Sequence, residues 1–299
     1  MGSEMCIRDS GAHVDDSVNF QVYNKQNQTP ETVAAVDETK GQVLSYKGDI
    51  IETYYYSTSY GHTGDYEAWN LDKDAYGYLQ GVWVRSEENP IDLSDEKSFL
   101  DYISNVDSAC YESDLKYFRW NTVLDFQGKD ETLLHTIADR KEHQPEAISY
   151  YKDASKTEKT DSCSNFGSLQ AIKVVKRNQS GVILELELDF QNGAVSVQSE
   201  YNMRAILGCG ITNINLLDGS SVEMSILPSA YISIQAKGDG TYAVLGGGYG
   251  HGIGMSQNGA QKLCGQGFDY KRILNYFYQD TELTELYQPQ NVTKEEGGA

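Results

Sequence analysis

Two stretches of the sequence combine residue types that can bind a polar ligand or act on it chemically. The first, Gly246–Gln257, is called the glycine segment, and every even position from 248 to 254 in it is glycine. In an extended strand alternate residues face opposite sides, so one face would be bare backbone. The other face would carry Tyr249, His251, Ile253, Met255 and Gln257. A bare face predicts close approach by a ligand or a second backbone, or else a tight packing seam against a helix.

The second stretch is rich in hydroxyl groups and aromatic rings. It runs from Tyr54 to Thr63 and is followed by Trp69; we call Tyr55–Thr63 the hydroxyl segment. Hydroxyls beside aromatic rings suit a carbohydrate, which offers OH groups and apolar ring faces. A solvated turn rich in Ser and Thr is the alternative. The candidate ligand-binding residues of both stretches are Tyr56, Ser57, Thr58, Ser59, His62, Trp69, Tyr249, His251, Ser256 and Gln257.

Other chemistries have weaker support. The glycine segment contains no G-x-G-x-x-G and no Walker lysine, so it is not a nucleotide-binding loop. A triad of Ser57 or Ser59, a histidine and an aspartate would lack the G-x-S-x-G nucleophile elbow. A zinc site built on His62 and His251 would lack clustered ligand spacing. Taken alone, His251 is typical of a structural histidine, and Ser256 of a helix N-cap.

The charge of the chain limits its partners. The 299 residues include 24 Lys and Arg against 44 Asp and Glu, a net charge of -20. Phosphate backbones repel such a chain, so we predict that it does not bind nucleic acid. No run approaches the ~18 apolar residues of a transmembrane helix. The aromatic content of 11% argues against disorder.

The cysteine pattern predicts neither a metal site nor a disulfide framework. The five cysteines lie at scattered positions, so no C-x-x-C signature occurs. We expect most of them to be small buried residues. The cysteines are Cys6, Cys110, Cys163, Cys209 and Cys264. We predict no cofactor and no metal.

The periodicity of the chain predicts an α+β fold with mixed and antiparallel sheets, a β-meander and segregated helices. Predicted strands are Val43–Tyr46, Ile50–Ser57, Leu169–Lys176, Val182–Asp189, Ala194–Val197, Ser221–Ile226, Ala230–Ala236 and Tyr242–Leu245. Predicted helices lie in 91–105 with Ser94 as N-cap, Glu131–His143, from Ser199 through Leu207, Gln257–Cys264, and Tyr270–Tyr278 with Asp269 as N-cap. Lys47-Gly48-Asp49 is predicted to be a hairpin turn.

The first ten residues do not look like native protein. Met5–Ser10 resembles the translation of a sequencing adapter, and a native N-terminus without regular structure is the alternative. We therefore expect native sequence to begin at Gly11 and an upstream portion to be missing. The predicted organisation is residues 1–10 as this scar, 11–289 as one domain without its N-terminal part, and 290–299 as a polar tail.

The two segments together resemble the stage II sporulation protein D family, which includes amidase enhancer proteins. The resemblance rests on Tyr-Tyr-Ser-Thr-Ser-x-Gly-His-Thr at 55–63 and Gly-Tyr-Gly-His-Gly-Ile-Gly-Met-Ser-Gln at 248–257. It extends to Gln21-Val22-Tyr23, to 35–41, to Arg119-Trp120, to the 169–207 meander with Arg204, and to 273–278, so it covers about residues 11–287.

This resemblance implies a function in the bacterial cell wall. The family's sporulation members are lytic transglycosylases that act on peptidoglycan strands already stripped of stem peptides by an amidase. One carboxylic acid protonates the glycosidic oxygen between MurNAc and GlcNAc, then activates the sugar's own C6 hydroxyl, which closes an anhydro ring. The implied partners are glycan strands and a cell-wall amidase. The implied location is the cell envelope outside the cytoplasm, with a membrane anchor in the missing segment.

The sequence departs from the family pattern in two ways. The family's catalytic Glu lies in a Glu-Met-Pro segment that would precede Gly11, so no residue of this chain is assigned as the general acid; Glu52 and Glu67 lie near the hydroxyl segment without matching it. Some relatives hold zinc through Cys and His before Gln-Val-Tyr, where this chain has Asp15, Asn19 and Phe20, which do not form such a site.

Two functions from different classes remain open at this stage. The chain is either a lytic transglycosylase whose acid lies upstream, or a non-catalytic glycan-binding or amidase-enhancing module. The presence of the upstream Glu would discriminate between them. Both hypotheses predict one glycan cleft lined by the two segments.

Overall fold

The computed structural model describes residues 27–86 and 91–286, which form two units. Within the described residues, the first unit contains 27–54 and 281–286, and the second runs from Tyr55 to Asp280. The predicted Met5–Ser10 scar, the 14–20 stretch and the 290–299 tail lie outside the described residues. The predicted α+β fold class is confirmed, because the described residues form helices together with several antiparallel sheets, including a meander.

The first unit is a helix followed by a small antiparallel sheet. Helix α1 spans Pro30–Glu38 and begins with a capping box at Thr29. Strands β1 (Gln42–Tyr46), β2 (Asp49–Ile50) and β15 (Glu282–Glu285) form a sheet in the order β15-β1-β2. The predicted hairpin is confirmed, with Lys47 at φ 52° and Gly48 at φ 93° in its two-residue turn.

The predicted strand Ile50–Ser57 is wrong as one element. The structure has β2 at its start and β3 (Tyr55–Tyr56) near its end, with residues 51–54 outside both. A strand needs a hydrogen-bonding partner. The partner of β3 is β14 (Met255–Ser256), some 200 residues away, which a local pattern cannot show.

Most of the second unit is built on two five-stranded sheets. The first has the order β11-β10-β4-β13-β12, from Ser221–Val222, Ile214–Leu216, Trp120–Asp125, Thr241–Gly246 and Ile232–Ala236. The second has the order β6-β5-β9-β8-β7, from Lys159–Thr160, Ile148–Tyr151, Gly193–Val197, Ile183–Phe190 and Leu169–Arg177. Strands β7, β8 and β9 pair antiparallel in sequence order, which confirms the predicted meander.

The helices of the second unit largely match the predictions. They are α2 Lys73–Tyr76, α3 Glu96–Ile103, α4 Asp130–His143, α5 Glu200–Gly208, α6 Gln257–Gly265 and α7 Tyr270–Phe277, with 3-10 turns at Tyr66–Trp69 and Pro145–Ala147. The cap of α3 is Asp95 and not Ser94, because the Asp95 carboxylate accepts a hydrogen bond from the Ser98 amide. Ser199 precedes α5 but makes no side-chain cap bond.

The two five-stranded sheets and helices α4 and α5 enclose one apolar core. Leu133 and Ile137 of α4 and Met203 and Ile206 of α5 are fully buried in it. Leu133 and Ile137 therefore form the apolar face of α4, while Leu134 is only partly buried. The predicted strand Ser221–Ile226 is confirmed only at β11, whose two residues leave the remainder in a loop.

Candidate functional site

The hydroxyl segment and the glycine segment lie side by side. Met255 and Ser256 pair in parallel with Tyr55 and Tyr56. Further along, the Thr58 amide donates to the Tyr249 carbonyl at 3.2 Å, and the Tyr249 amide donates back to the Thr58 carbonyl at 2.8 Å. The structure therefore joins, backbone to backbone, two stretches that the sequence analysis placed at one site.

The glycine segment is not the extended strand that its alternation suggested. Gly248, Gly250, Gly252 and Gly254 all have positive φ, between 76° and 115°. L-residues rarely adopt this conformation, so glycine is needed at each turn of the chain. Alternation of sequence here reflects alternating backbone conformation and not the two faces of a strand.

The predicted close approach at the glycines does occur, against the hydroxyl segment and not against a helix. A Cβ on Gly248 would lie 2.9 Å from the Thr58 carbonyl oxygen, and one on Gly250 would lie 2.8 Å from the Tyr56 Cβ. A Cβ on Gly252 would lie 2.2 Å from the ring of Tyr231. Contacts under 3.0 Å cannot be accommodated by buried neighbours without movement. Gly248 and Gly250 therefore form the seam between the two segments, and Gly252 packs against Tyr231.

A buried carboxyl group, Glu112, connects the two segments from inside. Its residue is 0% exposed. Oε1 accepts from the Ser59 amide at 3.0 Å and from the Ser256 hydroxyl at 2.7 Å, while Oε2 accepts from the Ser59 hydroxyl. Sequence reasoning missed Glu112, because it stands in a polar stretch, Tyr111–Asp114, with no motif around it.

Burial raises the pKa of Glu112 from 4.5 to about 7, although the hydrogen bonds from Ser59 and Ser256 and the charge of Lys262 act in the opposite direction. Lys262 is itself held by Asp114, with Nζ 2.7 and 2.8 Å from the two carboxylate oxygens. Glu112 is thus a carboxyl group that changes charge near neutral pH while it has no contact with solvent.

Both candidate histidines are neutral and are fixed in different tautomers. His251 Nε2 donates to the Tyr55 carbonyl at 2.8 Å, and its Nδ1 accepts from the Ile253 amide at 3.1 Å. His62 donates from Nδ1 to the Thr63 carbonyl at 2.6 Å. Burial lowers the pKa of each to about 4, against weaker opposing effects. With both nitrogens bound to backbone, His251 is a structural histidine that offers only its ring face to a ligand.

The predicted binding residues divide into an interior and an exposed group. Thr58, Ser59 and Ser256 are 0–2% exposed, Tyr56 is 5% and His62 is 6%. A fully buried hydroxyl cannot touch a ligand, so the interior residues support the site without contacting its surface. The partly or fully exposed residues are Ser57, Trp69, Tyr249, His251 and Gln257.

Aromatic rings mark the exposed surface of the two segments. The Trp69 and His251 rings lie with centroids 5.1 Å apart, and the Tyr249 ring stacks on Tyr117 at 4.5 Å. Trp69 closes the 3-10 turn Tyr66–Trp69. Partly exposed rings of this kind offer apolar faces beside polar backbone, which is the surface chemistry that a sugar ring requires.

A carboxyl cluster lies directly after the hydroxyl segment. The Asn178 side-chain amide donates to both Asp65 oxygens at 2.9 Å and to Glu67 at 3.0 Å, and the Ser180 hydroxyl donates to Asp65 at 2.8 Å. Burial raises the pKa of Asp65, and the charge of Glu67 adds to that effect against the hydrogen bonds. Asp65, Asn178 and Ser180 were not singled out as site residues from the sequence, because Asp65 lies 113 and 115 positions from its two partners.

Two residues of the resemblance hold the segments from the sheet side. Arg119 donates from Nη1 to the Tyr60 carbonyl at 2.8 Å. The indole of Trp120 donates to the Gly248 carbonyl at 3.1 Å. Arg119 therefore holds the hydroxyl segment, and the adjacent Trp120 holds the glycine segment.

Within residues 27–86 and 91–286, no group of three or more His, Cys, Asp or Glu side chains is arranged to hold a metal ion. Cys110 and Cys163 are buried, Cys209 is partly buried and Cys264 is exposed, all as free thiols. The absence of zinc ligands predicted at Asp15, Asn19 and Phe20 concerns residues outside these ranges and stays a prediction. No helix of the described part is long and apolar enough to cross a membrane.

A comparison with known protein families identifies the family to which the chain belongs. The family described as "Domain of unknown function (DUF8618)" matches residues 61–254, which is more than half of the chain. The match runs from the end of the hydroxyl segment to the last glycine of the glycine segment. The chain therefore belongs to this family.

Curated relatives match nearly the whole chain at low identity. An amidase enhancer of Bacillus subtilis (strain 168) is 26% identical over 292 residues, 93% of this chain and 36% of the relative. A stage II sporulation protein D of the same organism is 23% identical over 288 residues, 92% of this chain and 61% of the relative. The resemblance inferred from the motifs is confirmed as a distant relationship. The chain spans about a third to three fifths of the length of these relatives, and its truncation stays a prediction.

Proposed function

We propose that this protein takes part in remodelling the bacterial cell wall by binding peptidoglycan glycan strands along the exposed surface of the two segments. The names of the relatives, an amidase enhancer and a stage II sporulation protein D, support this class of function. One geometric observation carries the choice of site. The two motif segments are paired backbone to backbone. The partly exposed Tyr249 ring belongs to the glycine segment, and the partly exposed Trp69 ring lies beside the His251 ring of that segment, with centroids 5.1 Å apart.

The division of the candidate residues refines the proposal. Trp69, Tyr249, His251, Ser57 and Gln257 contact the glycan, through ring faces and polar groups. Tyr56, Thr58, Ser59, His62 and Ser256 act from the interior by holding the backbone of those residues in place.

Binding of stem-peptide-free glycan strands by the purified chain tests this proposal. Trp69→Ala and Tyr249→Ala should each weaken binding by about tenfold or more, as expected for aromatic residues at the centre of an interface. Tyr201→Ala is the matched control, because Tyr201 is 46% exposed on α5 and lies outside both segments. Equal affinity in wild type and in all three variants would contradict the proposed site.

At the finer level, we propose that the full protein cleaves the MurNAc–GlcNAc bond as a lytic transglycosylase. The similarity to stage II sporulation protein D supports this reading. No residue of this chain is assigned as the general acid. Mass spectrometry of digested glycan strands tests it: ring closure by the C6 hydroxyl gives a product one water lighter than hydrolysis. That product should form with a chain extended upstream through the Glu-Met-Pro segment.

The second candidate function is a non-catalytic amidase enhancer, which the 26% identity to a protein of that name favours. In that role the chain binds glycan and raises the rate of a cell-wall amidase. Adding the chain to an amidase assay on intact peptidoglycan would then increase release of stem peptides, with no anhydro product. Under either reading the protein acts outside the cytoplasm at the cell envelope.

A further inference from the structure

Among the contacts described above, Glu112 is the one side chain that forms hydrogen bonds to both motif segments. Its two serine partners lie 197 positions apart in the sequence. Ser59 belongs to the hydroxyl segment and Ser256 ends the glycine segment. The carboxyl group lies at the seam and is 0% exposed, so it cannot contact a glycan itself. Its effect on the site must pass through the two serines.

Each serine hydroxyl also accepts a hydrogen bond from a nearby backbone amide, so the position of Glu112 affects the position of that backbone turn. The Ser59 hydroxyl also accepts from the Gly61 amide at 3.2 Å, and Gly61 directly precedes His62. The Ser256 hydroxyl also accepts from the Gly259 amide at 3.2 Å, which caps the start of α6 where Gln257 stands. One carboxyl group therefore sets the turn that carries His62 and the helix end that carries Gln257.

The space around Glu112 leaves little room for adjustment. A Cβ on Gly259 would lie 3.1 Å from Oε2 and 3.0 Å from the Val84 side chain. A shift of the carboxyl group must therefore be passed to the neighbouring backbone and not absorbed by empty space.

We propose that Glu112 is the positioning residue of the glycan-binding surface, fixing the hydroxyl segment against the start of α6 through Ser59 and Ser256. The identity of the ligand rests on the proposed function, whereas the positioning role does not. Nothing in the proposed chemistry requires Glu112 to touch substrate, so its contribution is to geometry alone.

Because Glu112 can gain or lose a proton, its positioning role predicts a pH dependence that a residue without a titratable group would not show. As a carboxylate, Glu112 accepts from the Ser59 amide and from both serine hydroxyls. When Oε2 carries a proton it must donate, and the Ser59 oxygen is the acceptor beside it, so the Ser59 hydroxyl must turn its own proton away. Since burial raises the pKa of Glu112 to about 7, this change falls near neutral pH.

The other groups that face this carboxyl are few. Tyr56 of β3 interacts with its charge, and burial keeps the pKa of Tyr56 far above neutral. Lys262 of α6 acts on it from the other side and is paired with Asp114. The glutamine variant therefore isolates the effect of the Glu112 proton from those of its neighbours.

Amide hydrogen exchange tests the positioning role without any ligand. We compare wild type, Glu112→Gln and Glu112→Ala at the amides of Ser59, Gly61 and Gly259, with Val195 of the central strand β9 as the reference for global opening. Glu112→Ala should speed exchange at the three amides about tenfold beyond any change at Val195, since each depends on a hydrogen bond in this network. Glu112→Gln, which reproduces the neutral acid, should keep their protection and remove its dependence on pH between 5.5 and 8.5.

Glu187→Ala is the matched control, a buried glutamate of β8 that is ion-paired with Lys156 at 2.8 Å. It should leave the three amides unchanged relative to Val195. The proposal is overturned if Glu112→Ala exchanges like the control at these amides. If Glu112→Ala does not fold, Glu112→Gln decides: a pH dependence identical to wild type overturns the proposal.

Glycan binding adds the functional arm. Stem-peptide-free strands should bind wild type with an affinity that changes across pH 7, and Glu112→Gln with one that does not. If wild type binds no glycan, the proposed function fails and the exchange experiment still decides the role of Glu112. If wild type and Glu112→Gln show the same pH profile of binding, the positioning role is wrong even though the ligand is right.

Discussion

Two buried glutamates of this protein are held in opposite ways. Glu187, on the meander sheet, is paired with Lys156 at 2.8 Å and Lys173 at 3.3 Å. Burial raises its pKa, but the hydrogen bonds and charges of the two lysines outweigh burial and lower it overall. Glu112 receives only amide and hydroxyl donors, so burial dominates and its pKa rises to about 7.

The difference shows how two regions of one fold use charge. On the meander sheet, two lysines pair with the carboxylate of Glu187 and lower its pKa. The seam between the two segments carries a carboxyl group whose charge changes near neutral pH and glycines that no other residue can replace.

The largest expected effect comes from the positive-φ glycines of the glycine segment. Gly252→Ala would place a Cβ 2.2 Å from the Tyr231 ring at φ 81°, so it should lower the free energy of unfolding by ~3 kcal/mol or more. Gly265→Ala is the control, because a Cβ there meets no atom within 4 Å; it should change stability by less than about 0.5 kcal/mol. Urea unfolding measures both. Equal stability of the two variants would show that Gly252 is not tightly packed against Tyr231.

The second effect concerns the pH dependence of the two glutamates. Because the pKa of Glu112 is higher in the folded protein than in the unfolded chain, the folded state binds its proton more tightly. Its contribution is fully present below pH 4.5 and is lost as pH rises through about 7, a change of about 3 kcal/mol. Unfolding measured from pH 4.5 to 8 should show that loss in wild type and not in Glu112→Gln.

Glu187 should show the opposite sign. Its lowered pKa stabilises the folded state above the unfolded pKa, and that contribution is lost as pH falls through the folded value. Glu187→Gln should therefore differ most from wild type at neutral pH and least in acid. The comparison of the two glutamates fails if the stability difference between Glu187→Gln and wild type does not shrink as pH is lowered below 4.5.

The third effect concerns the histidines. Long-range ¹H–¹⁵N spectra should show the Nε2–H tautomer for His251 and the Nδ1–H tautomer for His62, both persisting to about pH 5. Since both pKa values are lowered to about 4, their contribution to stability is present above pH 6.5 and is lost as pH falls towards 4. Titration of either ring near pH 6.5 would mean that it is not held as described.

The smallest effect separates the two candidates for the cap of α3. Asp95→Ala should lower stability by about 1 kcal/mol, because the Asp95 carboxylate satisfies the Ser98 amide at 3.0 Å. Ser94→Ala should change it by less than about 0.5 kcal/mol. Thermal unfolding of the two variants decides between them. This helix also carries Glu96, whose carboxylate pairs with Arg177 at 2.6 Å at the end of β7.

Local patterns predicted most of the elements of this fold. The meander, helices α4, α6 and α7, and the Asp269 and Ser256 caps all have periodicity or capping residues in one short stretch. The strand expected at Ile50–Ser57 was wrong, because β3 depends on a partner 200 residues away. Asp95 and Ser94 are adjacent residues of types that both favour the N-cap position. Propensity therefore cannot decide which of the two caps α3.

The residue composition of the two segments predicted where the candidate site lies, but the backbone geometry of the segments was not predicted. Tyrosine, serine and glycine patterns located both segments, and the structure joins them. The glycine alternation suggested a strand, whereas the positive φ values show a chain that turns at each glycine. Glu112 and Asp65 were not predicted as site residues. What distinguishes them is burial and hydrogen bonds from donors that are distant in the sequence, and neither property can be read from the residues around them.

A nuclear magnetic resonance titration of the chain with stem-peptide-free glycan strands tests the central claim most directly. The account predicts that the largest shifts fall at the Trp69 indole and at the amides of Ser57, Tyr249 and Gln257, with Tyr201 and Val195 unmoved. Shifts confined to other surfaces, or no shifts at saturating glycan, would contradict the claim that the paired segments form a glycan-binding surface.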